Sequence, residues 1–540
     1  MIRFTSNSLS DSFQRRNVWF QDRALSSQQI GKSYWTDQYQ LPLLIVGGRW
    51  QMNAVSKFGH IRTLPLHTTI TVRRLMCFLP SALPAHRHWL GLSWLCCSLA
   101  SLSPDVFAAS QQDQATGLID GSHLNLMLRN YYFNRDYRDG AANGLGTNKF
   151  KPLSQRNGYR GEWAQGFIAK FNTGFTQGTV GFGLEGYAAL GLKLDSGGGR
   201  TGTSLLPWSD SGHPEDEYSK AGVALAIQAS NTVIKFGEQM PQVPVLSYSD
   251  VRLLPSSARG LSVTSNEFNH LNIQAGRFTA VTSNDSTNTD GEITTDYGVL
   301  PAGRSLSYVG GTYKAENSFT ATFYGSEYQD IWHQYYGGAS YTMPLSDNKA
   351  LLFEFNGYNT RSYGAEKGGP IENFTYSVLG AYRFGSHKIS LAYQYVDGDE
   401  PFDYIAFERT QSGIPYLNNV SSVFPFSEPH ERSWQLRYDL NFAGYGIPGL
   451  TLMTRYIRGQ GMDNSHSDNS FYKKIGNYDS DPNDNKQWER DIDLGYVVQS
   501  GKAKDLSIRL RNAKHRATTG TRWPDFDEFR IIIEMPIKVF

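Results

Sequence analysis

The sequence is poor in cysteine and has no long hydrophobic run. Only 3 of its 540 residues are cysteine (Cys77, Cys96 and Cys97), and all of them lie before residue 100. The remaining chain therefore has neither a disulfide scaffold nor a thiolate nucleophile. Its longest apolar run, residues 89–102, is about 14 residues, whereas a membrane helix requires roughly 20.

That apolar run has the features of a secretory signal. It reads WLGLSWLCCSLASL, follows the basic residues 86–88, and leads to VFA at 106–108, in which small residues occupy the first and last positions. A basic segment, a short apolar segment and a small-residue site predict a signal peptide over 76–108, cleaved after Ala108 or Ala109. The alternative is a buried helix. Residues 1–75 show no periodicity, so we expect a non-native or disordered extension there, followed by one domain over 109–540.

The charge balance gives no support for binding nucleic acid. The whole chain has a formal net charge of +1, with 51 Lys and Arg against 50 Asp and Glu. The first 108 residues hold 11 basic and 4 acidic residues, which leaves the remainder at −6. A nucleic-acid-binding domain would show a basic excess. The proportion of hydrophobic residues, 39%, is that of a folded chain.

Alternation of apolar and polar residues recurs along the chain. In GTVGFGLEGYAALGLKLD, residues 180, 182 and 184 share an apolar face, while Glu185, Tyr187 and Lys193 share the other. A period of two indicates a β-strand, and this one is longer than the usual 3–10 residues. Similar stretches are VALAIQA, FTATFYG, LLFEFNGYN, YSVLGAYRF, KISLAYQYV, SWQLRYDLNF, LTLMTRYIRG, DIDLGYVVQ and FRIIIEM.

The connections between these strands are of two lengths. Short links occur at 384–387, 443–449 and 499–504, and polar insertions occur at 195–219, 240–267, 281–304, 359–373, 397–432 and 459–488. This pattern predicts an all-β transmembrane antiparallel barrel of about 18 strands in the outer membrane, with short periplasmic turns and long extracellular loops, some folded into the pore. The alternative is a soluble β-sandwich or propeller. The 31 Tyr, 30 Phe and 11 Trp residues favour the barrel, since they can form interfacial girdles.

Several arginines lie on the face that a barrel turns inward. In LSIRLRN, residues 506–512, Arg509 and Arg511 alternate with apolar residues, and the same parity sends Arg530, Arg437 and Arg455 inward. Guanidinium groups bind carboxylates bidentately, so such a row attracts anionic solutes. The alternative is that inward acids pair with these arginines and only stiffen the wall. The candidate acids are Glu185, Asp439 and Glu534.

Residues 115–540 resemble the OprD (Occ) family of substrate-specific outer-membrane porins. The resemblance is carried by LMLRNYYFNRDYRD, GFTQGTVGFGLEGYAALGLKLD, YGSEYQDIWHQYY, LAYQYVDGDEPFDYI, ERSWQLRYDLNFAGYGIPGLTLMTRYIRG and YVVQSGKAKDLSIRLRNAKHR, in family order. It implies an 18-stranded monomeric barrel that admits small carboxylates along a basic ladder. The ladder residues that match the family motifs are Arg135, Arg160, Arg509, Arg511 and Arg530.

The sequence departs from the family pattern at two places. A ladder lysine is replaced by Gly495, and an acidic position in the loop before ERSW is occupied by Pro425. An apolar loop opposite arginines suits aromatic or apolar carboxylates, whereas the family's basic-amino-acid and dipeptide channels carry the acid. The residues that we expect to line this constriction loop are Tyr416, Ser421, Val423, Phe424 and Phe426.

No motif requires enzymatic chemistry, a cofactor or a metal. GGGRTG (197–202) precedes no predicted helix, and DSDPNDN (479–485) lacks the glycine and glutamate of a calcium loop. A hydrolase embedded in the barrel is the alternative of a different class, because scattered serines and histidines are present. A sealed structural barrel would have to bury its arginines, which is costly. We therefore expect a channel whose partners are small carboxylates, outer-membrane lipid and lipopolysaccharide.

Overall fold

The computed structural model describes residues 110–408 and 412–540. The extension and the signal peptide predicted before residue 109 lie outside the described residues. Strands dominate the described chain, and helical structure there is limited to short 3-10 segments. None of the helices in this part of the chain is long and apolar enough to cross a membrane.

The strands of the described residues fall into two groups, long strands of a main sheet and short strands in loops. In chain order they are β1 (His123–Tyr137), β2 (Tyr159–Asn172), β3 (Val180–Asp195), β4 (Glu217–Ala229), β5 (Thr232–Gln239), β6 (Gln242–Val243), β7 (Leu246–Ser247), β8 (Ser257–Phe268), β9 (Leu271–Thr282), β10 (Ile293–Thr295), β11 (Leu306–Lys314), β12 (Phe319–Tyr328), β13 (Trp332–Ser346), β14 (Lys349–Ser362), β15 (Glu372–Phe384), β16 (His387–Asp397), β17 (Ile405–Phe407), β18 (Arg432–Asn441), β19 (Leu450–Gln460), β20 (Lys486–Val497), β21 (Ser507–Ala517) and β22 (Phe526–Lys538). The 3-10 segments are Gln112–Gln114, Gly146–Phe150, Leu153–Gln155, Phe442–Tyr445, Tyr472–Lys474 and Pro482–Asp484.

The main sheet has 18 strands and closes on itself. Each strand pairs antiparallel with its neighbours in the chain, and β22 pairs with β1, with Phe133 opposite Arg530. Closure gives every strand two partners, which removes the open edges that lipid cannot satisfy. The predicted class, an all-β antiparallel barrel of about 18 strands, is confirmed.

The two faces of each strand meet different surroundings. On β3 the side chains of Val180, Phe182 and Leu184 are exposed, whereas Tyr187 and Ala189 are buried. Because successive side chains point to opposite faces, an apolar outer face accompanies an inner face that can be polar. The alternation read from the sequence therefore separates the lipid side from the lumen.

Short turns gather at one rim of the barrel and longer connections at the other. At the short-turn rim, β15 and β16 are joined by two residues, and Gly385 adopts a φ of +52° there. One predicted insertion was too long, because 240–267 includes β8. The outward side chains of β8 include Arg259 beside Leu261, so the apolar alternation of that strand is weak.

Three of the long connections fold together inside the barrel. The segments 240–256, 283–305, 398–408 and 412–431 form these connections and contain the short strands, and β10 pairs with β17 through Ile293 and Phe407. Their buried side chains pack against Trp332, Tyr336 and Tyr358 of the barrel wall. The first segment also reaches β1, where the Tyr131 hydroxyl donates to the Val251 carbonyl at 3.2 Å. The loops therefore cross the lumen from the β11–β14 side to the wall that runs from β18 through β22 to β2.

Candidate functional site

The predicted ladder arginines lie on six strands of that wall, namely β18, β19, β21, β22, β1 and β2. We call the set the arginine wall: Arg135, Arg160, Arg437, Arg455, Arg509, Arg511 and Arg530. The strand registers bring its members opposite one another or opposite inward acids, in the pairs Arg437–Arg455, Arg455–Asp491, Asp493–Arg511, Arg511–Arg530 and Arg135–Arg160. Each of these six strands carries a guanidinium group, and β20 contributes Asp491 and Asp493 instead. Alternation in the sequence predicted the members on β18, β19, β21 and β22, whereas those on β1 and β2 were expected from the family resemblance.

Carboxylates alternate with the guanidinium groups. The ion pairs are Arg437–Asp439 (2.7 Å), Arg455–Asp491 (2.7 Å), Arg509–Asp493 (3.2 Å), Arg511–Asp493 (2.5 Å), Arg135–Glu528 (2.7 Å) and Arg530–Glu528. Of the acids that the sequence suggested as partners, Asp439 pairs with this wall, Glu534 pairs with Arg129, and Glu185 pairs with Lys235. The wall is therefore mixed in charge, and its pairs fix the orientation of each guanidinium group.

The arginine wall extends through three levels of the lumen, from the long-loop rim through the constriction to the short-turn rim. Near the long-loop rim, Arg160 donates from Nε to Asn143 Oδ1 at 2.9 Å, and the Arg135 guanidinium lies 4.3 Å from the Phe526 ring centroid. Deeper, Arg511 and Arg530 line a cavity of about 60 Å³, the constriction cavity. Towards the short-turn rim a cavity of about 350 Å³, the exit cavity, is lined by four cationic side chains. They are Arg383, Lys388, Arg437 and Arg509.

Only part of the predicted constriction loop lines the constriction cavity. Ser421, Val423 and Phe424 line it, together with residues 413–415 and Pro425. Tyr416 instead packs against the opposite wall, where its backbone N–H donates to the Tyr358 hydroxyl at 2.9 Å. Phe426 is 1% exposed and does not line the cavity.

Charged side chains of the wall hold the constriction loop in place. Arg455 donates from Nη1 to the Val420 carbonyl at 2.9 Å, and Arg530 donates from Nη2 to the Ser422 carbonyl at 3.2 Å. In return, Asp491 accepts the Ser422 N–H and Glu489 accepts the Val423 N–H, both at 3.1 Å. Because Arg455 is 2% exposed, its donors serve the loop and Asp491.

Several charged residues of the site were missed from the sequence, among them Arg129, Arg252 and Asp296. Arg252 and Asp296 line the constriction cavity from two irregular loops, where no periodicity marks a direction. Burial, together with the nearby Arg530 charge, lowers the pKa of Arg252 to about 10, so its guanidinium stays charged at neutral pH. Arg129 lies on β1 with the inward parity of Tyr131, so the alternation could have identified it. The described residues contain no group of three or more His, Cys, Asp or Glu able to hold a metal ion.

A closed 18-stranded barrel with an apolar exterior, a charged inner wall and inward loops defines an outer-membrane channel. The sequence profile described as "outer membrane porin, OprD family" matches residues 116–539. A protein named Porin D from Pseudomonas aeruginosa is 42% identical over 441 residues, which cover 81% of this chain and 95% of that protein. The chain belongs to the OprD family of outer-membrane porins.

Solved structures have the same architecture. The crystal structure of Pseudomonas aeruginosa OprD is 39% identical, with a TM-score of 0.68, and the match covers 80% of this chain and 99% of that one. The structure titled Pseudomonas aeruginosa OpdK with vanillate is 32% identical, with a TM-score of 0.67, and the match covers 78% and 100% of the two chains. The relatives are channels, so this chain is an outer-membrane porin and not an enzyme.

Proposed function

We propose that this porin mediates passive uptake of small water-soluble carboxylates and prefers aromatic or apolar ones. The observation that supports this most directly is the lining of the constriction cavity. Three guanidinium groups, those of Arg252, Arg511 and Arg530, meet the apolar side chains of Val423 and Phe424 there. A carboxylate would bind the former while a ring or alkyl group packs against the latter.

The alternating charges suit passage as well as attraction. A solute carboxylate would move from Arg160 and Arg135 past the constriction to Arg509 and Arg437, exchanging one charged partner for the next. Conduction requires sites that attract the solute but release it. The wall carboxylates weaken the binding of the solute at each guanidinium group, because they compete with the solute for the same donors. Diffusion down a gradient requires no cofactor.

The outer surface of the barrel indicates its remaining partners. The barrel closes within one chain, so a single chain can form a complete channel, and we propose that the porin acts as a monomer. Its exposed apolar side chains, such as Phe182, Leu225 and Phe323, would contact lipid and the acyl chains of lipopolysaccharide.

Blocking of single-channel current tests the preferred solute. The purified protein is inserted in a planar bilayer, and benzoate and arginine are added in separate experiments. We expect benzoate to produce blocking events, and Arg511→Ala to shorten them. Arg361→Ala is the matched control, because that arginine pairs with Glu372 and its side chain is 65% exposed. Benzoate without effect on the wild-type current would refute the proposal.

A second candidate is uptake of basic amino acids or dipeptides. Asp296 lines the constriction cavity together with Arg511 and Arg530. Coming from another loop, it could take the role of the acid that Pro425 replaces. A solute ammonium group could bind this carboxylate. Blocking by arginine, abolished in Asp296→Asn, would favour this candidate over the first.

A further inference from the structure

The exit cavity extends beyond the arginine wall to the strands β15 and β16. It reaches from β15 to β21, and its lining includes Gly385, Ser386 and Asn441 beside two of the short turns. Short turns of outer-membrane barrels face the periplasm. The cavity therefore opens at the periplasmic end of the lumen, below the constriction.

The register places one inward side chain from each of five strands at this level. Arg383 lies opposite Lys388, Lys388 opposite Asp439, Asp439 opposite Met453, and Met453 opposite Asp493. Cross-strand neighbours have Cβ atoms about 5 Å apart, so side chains on adjacent strands of this set can act on one small ligand. Arg383 and Lys388 belong to strands that hold no member of the arginine wall.

The acids in the cavity are each shared between two cations. Asp439 lies 2.7 Å from Arg437 and 3.5 Å from Lys388, while Asp493 is shared by Arg509 and Arg511. The lining therefore has four cations and two carboxylates, an excess of two positive charges. The side chains of Arg437 and Lys388 are 17% and 21% exposed, so water screens this excess only in part.

Space and apolar surface are available beside these charges. Gly495 lies opposite Arg509 and contributes no side chain, and Met453 is 7% exposed between the two acids. A thioether packs well against irregular apolar groups. A volume of about 350 Å³ holds one small organic acid, whereas the constriction cavity of about 60 Å³ does not hold one without movement of its loop.

We infer that the exit cavity is a second carboxylate-binding site, in which Lys388 and Arg437 take the carboxylate and Met453 contacts the apolar part of the solute. This inference rests on the proposed uptake of carboxylates and deepens it. The site offers a solute that has passed the constriction a place to bind before release. It also binds carboxylates that come from the periplasmic side.

Blocking measured separately from each side of the bilayer tests the site. In the wild type we expect benzoate to block from both sides. The double variant Lys388→Met/Arg383→Met should weaken the block by benzoate added on the short-turn side about tenfold, because Lys388 no longer donates a charge-assisted hydrogen bond. The block by benzoate added on the long-loop side should change less, because that solute meets the constriction first. The single variant Lys388→Arg keeps the positive charge, so benzoate should block it as it blocks the wild type.

The chain offers a matched control for the lysine. Lys349 begins β14 at the same rim but is exposed, opposite Phe384, whereas the next residue, Ala350, is buried. Lys349→Met should therefore change neither block. An equal loss on both sides, or no loss, in the double variant would overturn the second site alone. No block of the wild type from either side would overturn the proposed function and this site together.

Discussion

Replacement of Arg455 by alanine should release the constriction loop and leave the barrel folded. Arg455 joins Asp491 to the loop through the Val420 carbonyl. Its loss removes one charge-assisted hydrogen bond to the loop, worth about 1.5–3 kcal/mol. It also leaves Asp491, which is 0% exposed, without its nearest cation, and breaking such a buried pair costs about 3–5 kcal/mol. Movement of the loop, which admits water to Asp491, relieves that cost.

Single-channel conductance measures this release. We expect the Arg455→Ala channel to conduct more current and to fluctuate more than the wild type. Arg455→Ala/Asp491→Asn should fluctuate less than the single variant, because no buried charge is left without a partner. Arg511→Ala is the comparison for a residue that lines the cavity, and it should change ion selectivity more than conductance. If Arg455→Ala instead lowers anion selectivity at unchanged conductance, Arg455 guides solutes and the anchoring argument is wrong.

Three further outcomes are expected. In Arg509→Ala/Arg511→Ala the Asp493 carboxylate loses both of its paired cations, so reversal potentials in a salt gradient should shift towards cation preference; an unchanged potential would contradict a guiding role. Phe424→Ala removes the ring stacked 4.3 Å from Trp523 and should shorten benzoate blocks about tenfold with little change in ion selectivity. Burial raises the pKa of Glu431 from 4.5 to about 8, so the packed loop favours the protonated acid. Loop packing should be strongest below about pH 4.5 and weaken as the pH rises through 8. Current fluctuations should increase over that range in the wild type and not in Glu431→Gln.

The outward and inward faces could be predicted because lipid and water impose opposite demands on adjacent residues. That alternation placed Arg509 and Arg511 in the lumen without any knowledge of the fold. It failed for β8, where Arg259 faces outward beside Leu261 and interrupts the apolar pattern. Alternation also indicates a direction but no partner, so it could not identify the sharing of Asp493 by two arginines.

The constriction was less predictable than the wall, because loops have no period. Tyr416 and Phe424 belong to the same loop and are eight residues apart, yet they pack on opposite sides of the lumen. Asp296 lines the same cavity but belongs to a different loop, more than 100 residues earlier in the chain than Tyr416 and Phe424. These positions depend on long-range contacts, such as the pairing of β10 with β17, that no local pattern encodes.

The pairing of β22 with β1 also determines when the channel can first conduct selectively. Arg129 and Glu534, which join across this seam, are separated by 405 residues in sequence. Contacts of such separation form late in folding, since the entropy of closing the intervening chain opposes them. Arg135 and Arg530 lie on the two seam strands, and both pair with Glu528. We therefore expect closure of this seam to complete both the cylinder and the charged wall, so that a barrel without this pairing has no complete solute path.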